Sequence, residues 1–332
     1  MIEVLQTGPL NTVQDLGRFG YRNIGVTPSG AMDRLALTVG NLLLGNEDGA
    51  AALEIQTFPF RLLFEKDTVV AVTGADCNAR IDGRPLPPWW AMPVLKGQVL
   101  ELGAPLRSAR AYLCFAGGLD VEPVMGSRST SLRGGFGGLE GRFLAANDRL
   151  SLADGQISAV PDGGFGAVPP ETALAAHFPA PEDGLLPVRA IPAGEYALFG
   201  DEAERLWTQT WKISSQSDRT GYRLSGDPIM LASPVEMRSH GVVPGVVQMP
   251  PAGEPIIQMS DANTAGGYPK IAGIVEVDLW RLGQARIGSR IRFIRSDVAE
   301  ARAAERALQA YIEDIRRTAP MLTQALATMS RR

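Results

Sequence analysis

The chain has 332 residues, of which 45% are hydrophobic and 20% charged, with a formal net charge of −4. This is ample apolar material for a buried core, too apolar for a disordered chain, and long enough for about two domains. There is no long basic run to face nucleic acid, no apolar stretch near the ~20 residues that cross a bilayer, and no basic and apolar signal segment at Met1-Ile2-Glu3-Val4, so the expected location is the cytoplasm.

Taken in chain order, short apolar runs alternate with turns drawn from 37 glycines and 24 prolines. Val69–Thr73, Ala111–Phe115, Tyr196–Phe199 and Arg290–Ile294 read as strands. Met32–Leu44 carries apolar residues at helical spacing and stops at Gly45-Asn46, a helix C-terminal signal. Asp201-Glu202-Ala203-Glu204 predicts a second helix start, with Asp201 as cap and Glu204 reaching back. Asp297–Arg317 has one apolar stripe, Ala304, Leu308, Tyr311, Ile312 and Ile315, on an otherwise charged helix. The tail after Pro320 loses that periodicity and is expected to fray.

Residues 155–184 are rich in Gly, Pro and Ala and poor in strand signals, so they read as a connection. The expected division is residues 1–155, a connection over 156–188, a second β domain over 189–296, and a helix and tail over 297–332. Arg18-Phe19-Gly20-Tyr21-Arg22 is echoed by Arg219-Thr220-Gly221-Tyr222-Arg223, and Thr73-Gly74-Ala75-Asp76 more faintly by Met259-Ser260-Asp261. Two related β domains would account for both echoes.

Cys77 and Cys114 are too few for a disulfide framework and read as reduced, buried small hydrophobes. With only His177 and His240, and no metal-ligand spacing, no metal site is expected. The chain also lacks a G-x-x-x-x-G-K-[ST] phosphate loop and a G-x-S-x-G nucleophile elbow. Arg133–Arg142 is dense in glycine and reads as an anion-binding nest, as a mobile flap over a site, or simply as a flexible loop.

The stretches Ser239–Pro251 and Pro255–Lys270 set polar side chains among Gly and Pro. Such stiff turns on a β scaffold are good places to aim reacting groups. Arg219 can clamp a carboxylate, or can pair structurally with Asp218 or Asp15. Gln248 and Asn263 match an amide or ureido group in both donor and acceptor. Asp261 can serve as a base and Lys270 can balance an oxyanion. Tyr268 is held between Gly267 and Pro269, and His240 is the residue of this region that titrates near neutrality. In the first half, Asp33 follows the Ser29-Gly30 turn and either stabilises a helix start or joins the site. Glu54 follows an apolar run, so it is a candidate base or half of a buried ion pair.

Several of these segments together resemble a known family. Val13-Gln14-Asp15-Leu16-Gly17-Arg18, Pro28-Ser29-Gly30-Ala31-Met32-Asp33 with Gly40–Asn46, Ala51-Ala52-Leu53-Glu54, Thr73–Asp76, Ser217–Leu224 and Gln248–Lys270 occur in the order found in the allophanate hydrolase subunit 2, or biotin-dependent carboxyltransferase, family. The resemblance runs from Val4 to about Ile294. It implies a mainly β chain with a few helices, built as two cyclophilin-like β-barrel domains plus a C-terminal helix. It also implies Arg219, Asp261, Lys270 and His240 as catalytic candidates, with Gln248, Asn263, Tyr268, Asp33, Glu54 and Ser29 as substrate-binding candidates. Where the family often carries Gln-Thr-Thr, this chain has Asn263-Thr264-Ala265, which keeps the amide and shortens its reach.

Three functions follow from the resemblance. The first is the C-type component of an ATP-dependent 5-oxoprolinase complex, which opens 5-oxoproline to glutamate with a B-type subunit of similar fold and an A-type subunit. The second is a carboxyltransferase component acting on urea or an amide, with carboxybiotin on a partner protein. Lys96, Lys212 and Lys270 all lack the Met-Lys-Met setting of a biotinylated lysine. The third is a non-catalytic antagonist that binds a B-like kinase-inhibitor subunit. The older family name suggests amide hydrolysis by this chain itself, but no amidase signature is present. In the two enzymatic readings the expected ligand is a small amide or carboxylate, and in all three the expected partners are proteins.

Overall fold

The structure is a computed structural model that describes residues 1–155 and 160–329, with side chains to residue 325. Residues 156–159 of the expected connection and 330–332 of the expected tail lie outside the described residues. The chain is mainly β with a few helices and a long C-terminal helix. It divides into two compact units, one of Met1–Arg18, Ser29–Ala173 and Gln309–Arg332, the other of Phe19–Pro28 and Leu174–Leu308.

The first unit is built on two six-stranded sheets whose neighbouring strands pair antiparallel. Strand Thr68–Asp76 is central in one of them, between Trp90–Val94 and Arg107–Phe115, and eight of its nine residues are buried. A strand covered on both faces loses the alternation of a half-exposed one, which is why Val69-Val70-Ala71-Val72 reads as a continuous apolar run. The core holds Val70, Val72, Leu113 and Phe115 with Ile2, Leu53, Phe60 and Phe64 from other strands.

The helix Arg34–Leu43 packs on this sheet. Asp33 caps it, accepting from the Ala36 backbone N–H at 2.9 Å. Nine of its ten residues are buried, so it is enclosed rather than amphipathic. At Gly40 a Cβ would come within 2.6 Å of Cys114 Sγ, so only glycine permits this approach to the sheet. The Thr73 hydroxyl donates to the Ala36 carbonyl at 2.7 Å across the same contact. Asn46 ties the helix exit to strand Arg107–Phe115 by donating to the Phe115 carbonyl at 2.8 Å.

The second unit contains a closed seven-stranded barrel of Leu185–Pro192, Lys270–Ile274, Val246–Gln248, Ile256–Gln258, Gly221–Ser225, Trp211–Ile213 and Arg290–Arg295. A parallel pairing of Leu185–Pro192 with Arg290–Arg295 closes it, and the other pairs are antiparallel. Trp211, Tyr222, Val247, Ile257, Ile271 and Phe293 fill the interior. A short ribbon stands apart from the barrel sheet, pairing His240 with Gly266 and Gly241 with Ala265.

Several local expectations are corrected. Tyr196–Phe199 is not a strand but one 3₁₀ turn of a segment running to Glu204, interrupted at Gly200 (φ 53°, ψ −140°). The barrel closes without it, and Tyr196 instead packs on Trp207 at 6.1 Å. Glu204 does not reach back to Asp201; its carboxylate accepts from the Tyr196 hydroxyl at 3.0 Å and from Arg295 at 2.7 Å. The C-terminal helix continues past Pro320 and spans Val298–Met329. Within the expected connection, Phe165–Gly166 pairs with Trp90–Ala91 and adds an edge strand to the first unit.

The glycine-dense loop is folded on itself. Its Gly135, Gly138 and Gly141 N–H groups are spent on the Ser131, Arg128 and Gly137 carbonyls. A Cβ on Gly141 would lie 2.1 Å from the Gly135 carbonyl carbon, so the loop is folded tightly on itself. The sequence echoes do not mark equivalent places. Tyr21-Arg22 enters a 3₁₀ turn whereas Tyr222-Arg223 lies in a strand, and Thr73–Asp76 is strand whereas Met259 leaves the end of one and Ser260-Asp261 form a turn. Among the described residues, no helix is long and apolar enough to cross a membrane.

Candidate functional site

The second unit gathers seven of the sequence-predicted residues. Strand register explains Arg219. Gly221 pairs with Gln258, and the ladder runs on through Met259 N–H to Thr220 O and Asp261 N–H to Arg219 O. That continuation sets the Arg219 and Asp261 side chains side by side. Arg219 Nε donates to Asp261 Oδ2 at 3.0 Å and Nη2 to Oδ1 at 3.3 Å, and both side chains are buried. Asp261 is a partner that the sequence reading does not name. Asp218 Oδ1 accepts from the Thr220 and Gly221 N–H groups of its own turn. Asp15 accepts from Gly17 N–H, Arg128 N–H and the Ser127 and Ser129 hydroxyls. Because both Asp261 oxygens face Arg219, taking up a proton there would break a buried pair.

Gln248 and Gln258 sit on adjacent barrel strands. Gln258 Nε2 donates to Gln248 Oε1 at 2.9 Å, and Gln248 Nε2 donates to the Tyr268 carbonyl at 3.3 Å. Gln258 Oε1 is buried and has no partner among the described residues. Tyr268 itself is exposed. Lys270 begins the next strand. Its N–H donates to Glu195 Oε2 at 3.1 Å and its Nζ to the Gly241 carbonyl at 2.7 Å.

Glu195 also faces His240, with Oε1 at 3.6 Å from Nε2. The Arg238 carbonyl lies 3.1 Å from His240 Nδ1, which makes Nδ1 the donor and leaves Nε2 toward the carboxylate. A proton arriving at Nε2 would find Glu195 as its partner. Sequence reasoning misses Glu195, because the run after it reads as a strand and no motif marks it.

His240 also lines an open groove of ≈ 700 Å³, together with Arg22, Asn23, the rest of Ser239–Val243 and Thr264-Ala265. The His240–Gly266 ribbon forms one wall. The sequence does not single out Arg22 as a site residue. Its Nη2 donates to the Asn263 carbonyl at 3.3 Å, while Nη1 is buried and has no partner among the described residues. Burial pulls its pKa below the ordinary guanidinium value. Of the predicted residues, His240 lines the groove directly, Asn263 meets it through Arg22, and Lys270 through the Gly241 carbonyl. The Arg219–Asp261 pair does not line it.

Asp33, Glu54 and Ser29 belong to the first unit. Glu54 is fully buried, accepting from Met32 N–H at 2.8 Å and from the Tyr112 hydroxyl at 2.7 Å, with Arg110 Nε at 3.8 Å. The Tyr112 oxygen accepts in turn from Asp33 N–H at 2.7 Å. Burial, and then the Glu54 and Asp33 charges, push the Tyr112 phenol well above its usual range. Ser29 is buried in a left-handed conformation, φ 55°. Among the described residues no group of three or more His, Cys, Asp or Glu is placed to hold a metal ion.

A closed barrel, a short ribbon and a polar groove beside them define a β-scaffold protein that presents its chemistry on loops. Comparison with known proteins makes the class specific. Residues 24–295 match the family model described as carboxyltransferase domain, subdomain A and B, and the chain belongs to that family. It is 41% identical over 317 residues to the 5-oxoprolinase C-type component of Escherichia coli, covering 95% of this chain and 97% of that one. It is 39% identical to the protein of the same name from Haemophilus influenzae, covering 96% and 98%. The urea amidolyase of Lachancea kluyveri is 30% identical over 94% of this chain, which spans only 18% of that relative. Among solved structures, the K. lactis urea amidolyase superposes with a TM-score of 0.84 at 29% identity, over 95% of this chain and a fifth (20%) of that one. TTHA0988 gives 0.76 at 32% identity, over 88% of this chain and 55% of that one.

Proposed function

We propose that this chain is the C-type component of an ATP-dependent 5-oxoprolinase complex in the cytoplasm, opening the lactam of 5-oxoproline to glutamate together with A-type and B-type subunits. The observation that carries the reading is the near end-to-end match, at 41% identity, to the C-type component of a 5-oxoprolinase. The groove supports it chemically. Lactam opening needs a proton delivered to the leaving nitrogen and a positive group near the oxygen that gains charge. In this reading His240, 3.6 Å from Glu195, moves the proton, and Lys270 Nζ, now on the Gly241 carbonyl, meets the oxygen. Gln248 orients the Tyr268 segment, and Asn263 holds Arg22 through its carbonyl. ATP is a substrate of the complex in this reading.

The test is oxoproline-dependent ATP hydrolysis by the chain assembled with its A-type and B-type partners. His240→Asn and Lys270→Met are expected to lower that turnover at least tenfold with the complex intact. An intact complex that hydrolyses no ATP in response to 5-oxoproline sinks the proposal.

A second reading has its own support. The TM-score of 0.84 to the K. lactis urea amidolyase favours a carboxyltransferase component that accepts carboxybiotin from a partner and carboxylates urea or an amide. Carboxybiotin would then be a substrate brought to the groove. Bicarbonate-dependent and biotin-dependent, but not oxoproline-dependent, turnover would establish it. An antagonist that binds a B-like kinase-inhibitor subunit without turnover is the outcome if neither substrate is consumed.

A further inference from the structure

From the sequence, Arg219 is the guanidinium suited to clamp a carboxylate, but the structure shows its fork already closed on Asp261, away from the groove. Arg22 is the opposite case. Arg22 lines the groove, one arm is anchored on the Asn263 carbonyl, and Nη1 is buried and has no partner among the described residues. Of the groove's lining residues only Arg22 carries a permanent charge, and none is a carboxylate. The other lining residues are amide, hydroxyl and imidazole groups, glycine and alanine, and the apolar Val242 and Val243, with His240 on the His240–Gly266 ribbon. A partly buried guanidinium with an unpartnered nitrogen can bind a carboxylate through charge-assisted hydrogen bonds, and no lining acid competes for it.

We propose that Arg22 is the carboxylate-binding residue of this groove, holding the anionic end of a small substrate while the His240–Glu195–Lys270 side meets its reactive end. The site is chemically one for a small carboxylate. That the carboxylate is the ring substituent of 5-oxoproline rests on the function proposed above. The Asn263 carbonyl then acts as the positioning group that keeps the Arg22 arm directed along the groove wall. The lowered pKa of Arg22 agrees with a guanidinium held out of bulk water.

The test is calorimetric titration of the full chain, and of its complex with the partner subunits, with five probes: 5-oxoproline, 2-pyrrolidinone (the same lactam without the carboxylate), acetate, bicarbonate and inorganic phosphate. Arg22→Gln is expected to weaken 5-oxoproline by about tenfold to a hundredfold, the range for a lost charge-assisted bond, and to leave 2-pyrrolidinone unchanged. Arg22→Lys, which keeps the charge and loses the fork, should fall between. Equal losses for both lactams, or no loss for either, overturn the assignment, as does a panel in which no anion binds in an Arg22-dependent way. Urea unfolding of Arg22→Gln close to wild type excludes a folding defect as the cause of any loss. If acetate or bicarbonate binds through Arg22 while 5-oxoproline does not bind and is not turned over, the carboxylate site stands and the oxoprolinase reading falls. If 5-oxoproline is turned over with the KM of wild type by Arg22→Gln, the reading stands and the carboxylate site falls.

Discussion

The polar cluster around Glu54 in the first unit and the groove side of the second differ in how their buried groups are met, although buried atoms short of a hydrogen-bond partner occur in both units, Gln14 Oε1 in the first among them. In the first, Glu54, Tyr112, Asp33 and Arg110 are buried, and Glu54 and the Tyr112 hydroxyl have their bonding spent on neighbouring backbone and side chains. In the second, Arg22 Nη1, His240 Nε2 and Gln258 Oε1 are shielded yet have no hydrogen-bond partner among the described residues. A satisfied network stabilises a unique fold, whereas polar groups left short of partners call for an explanation, and a ligand is a natural one. Residue type therefore does not by itself tell the two clusters apart.

The sharpest way to break this comparison is to remove Glu54. Glu54→Ala would leave the Met32 N–H and the Tyr112 hydroxyl without their buried acceptor and would remove the negative charge 3.8 Å from Arg110 Nε. Removing one partner of such a buried charge is expected to cost about 3–5 kcal/mol. Glu54→Gln keeps the shape and should cost less. Urea unfolding followed by far-ultraviolet circular dichroism reads both. A loss below about 1 kcal/mol for Glu54→Ala, the range of an ordinary hydrogen bond, would remove the structural reading and return Glu54 to the candidates for catalysis.

The Arg219–Asp261 pair gives the next largest effect and a cleaner separation of roles. Asp261→Ala strands Arg219 in a buried setting, again about 3–5 kcal/mol, whereas replacing both residues by apolar ones of similar volume is often neutral. Arg219→Met with Asp261→Leu should recover most of the stability lost by the single variant. Should that double variant also recover oxoproline-dependent turnover, the pair is structural. Recovered stability with turnover still absent would give Arg219 or Asp261 a direct part in the reaction.

How far these roles are visible in the sequence differs by element. The helix Arg34–Leu43 can be placed because its signals are local: Asp33 caps it, and Gly45-Asn46 ends it. Thr68–Asp76 can be read because burial on both faces leaves a continuous apolar run. Tyr196–Phe199 cannot, since its apolar run serves a 3₁₀ turn packed on Trp207, and four residues carry no periodicity to tell the two apart. Asp261 as the partner of Arg219 depends on the Gly221–Gln258 register, a pairing between distant segments that no local pattern encodes. Arg22 is visible only as part of an echo, because its role comes from the Asn263 carbonyl far along the chain.

A smaller effect tests the cap. Asp33→Ala removes the acceptor for the Ala36 N–H and is expected to cost about 1 kcal/mol, with Asp33→Asn milder. Since Asp33 also meets Tyr112 through its backbone N–H, that contact survives both substitutions. A loss several times larger would mean that the Asp33 carboxylate takes a wider part in the Tyr112 network than the cap bond alone.

The weakest of these contacts lies on the surface of the first unit, where the Arg316 guanidinium of the C-terminal helix meets Asp48 at 2.6 and 2.9 Å. The Arg316 hydrogen bond holds the Asp48 carboxyl below its ordinary value of 3.8. A carboxyl depressed in the folded state stabilises the fold fully above its unfolded value, and loses that contribution as pH falls through the folded one. The contribution should therefore be complete at neutral pH and fade only below about 3.8, the value for the unfolded group. Both side chains are more than a third exposed, which confines the coupling to about 0.2–1 kcal/mol and makes it sensitive to salt. A double-mutant cycle of Asp48→Ala and Arg316→Ala at neutral pH, in low and in high salt, measures it. Coupling that exceeds this range and does not weaken with salt would show that the ion pair is shielded, so that shielded polar contacts in the first unit extend beyond the buried network to its surface.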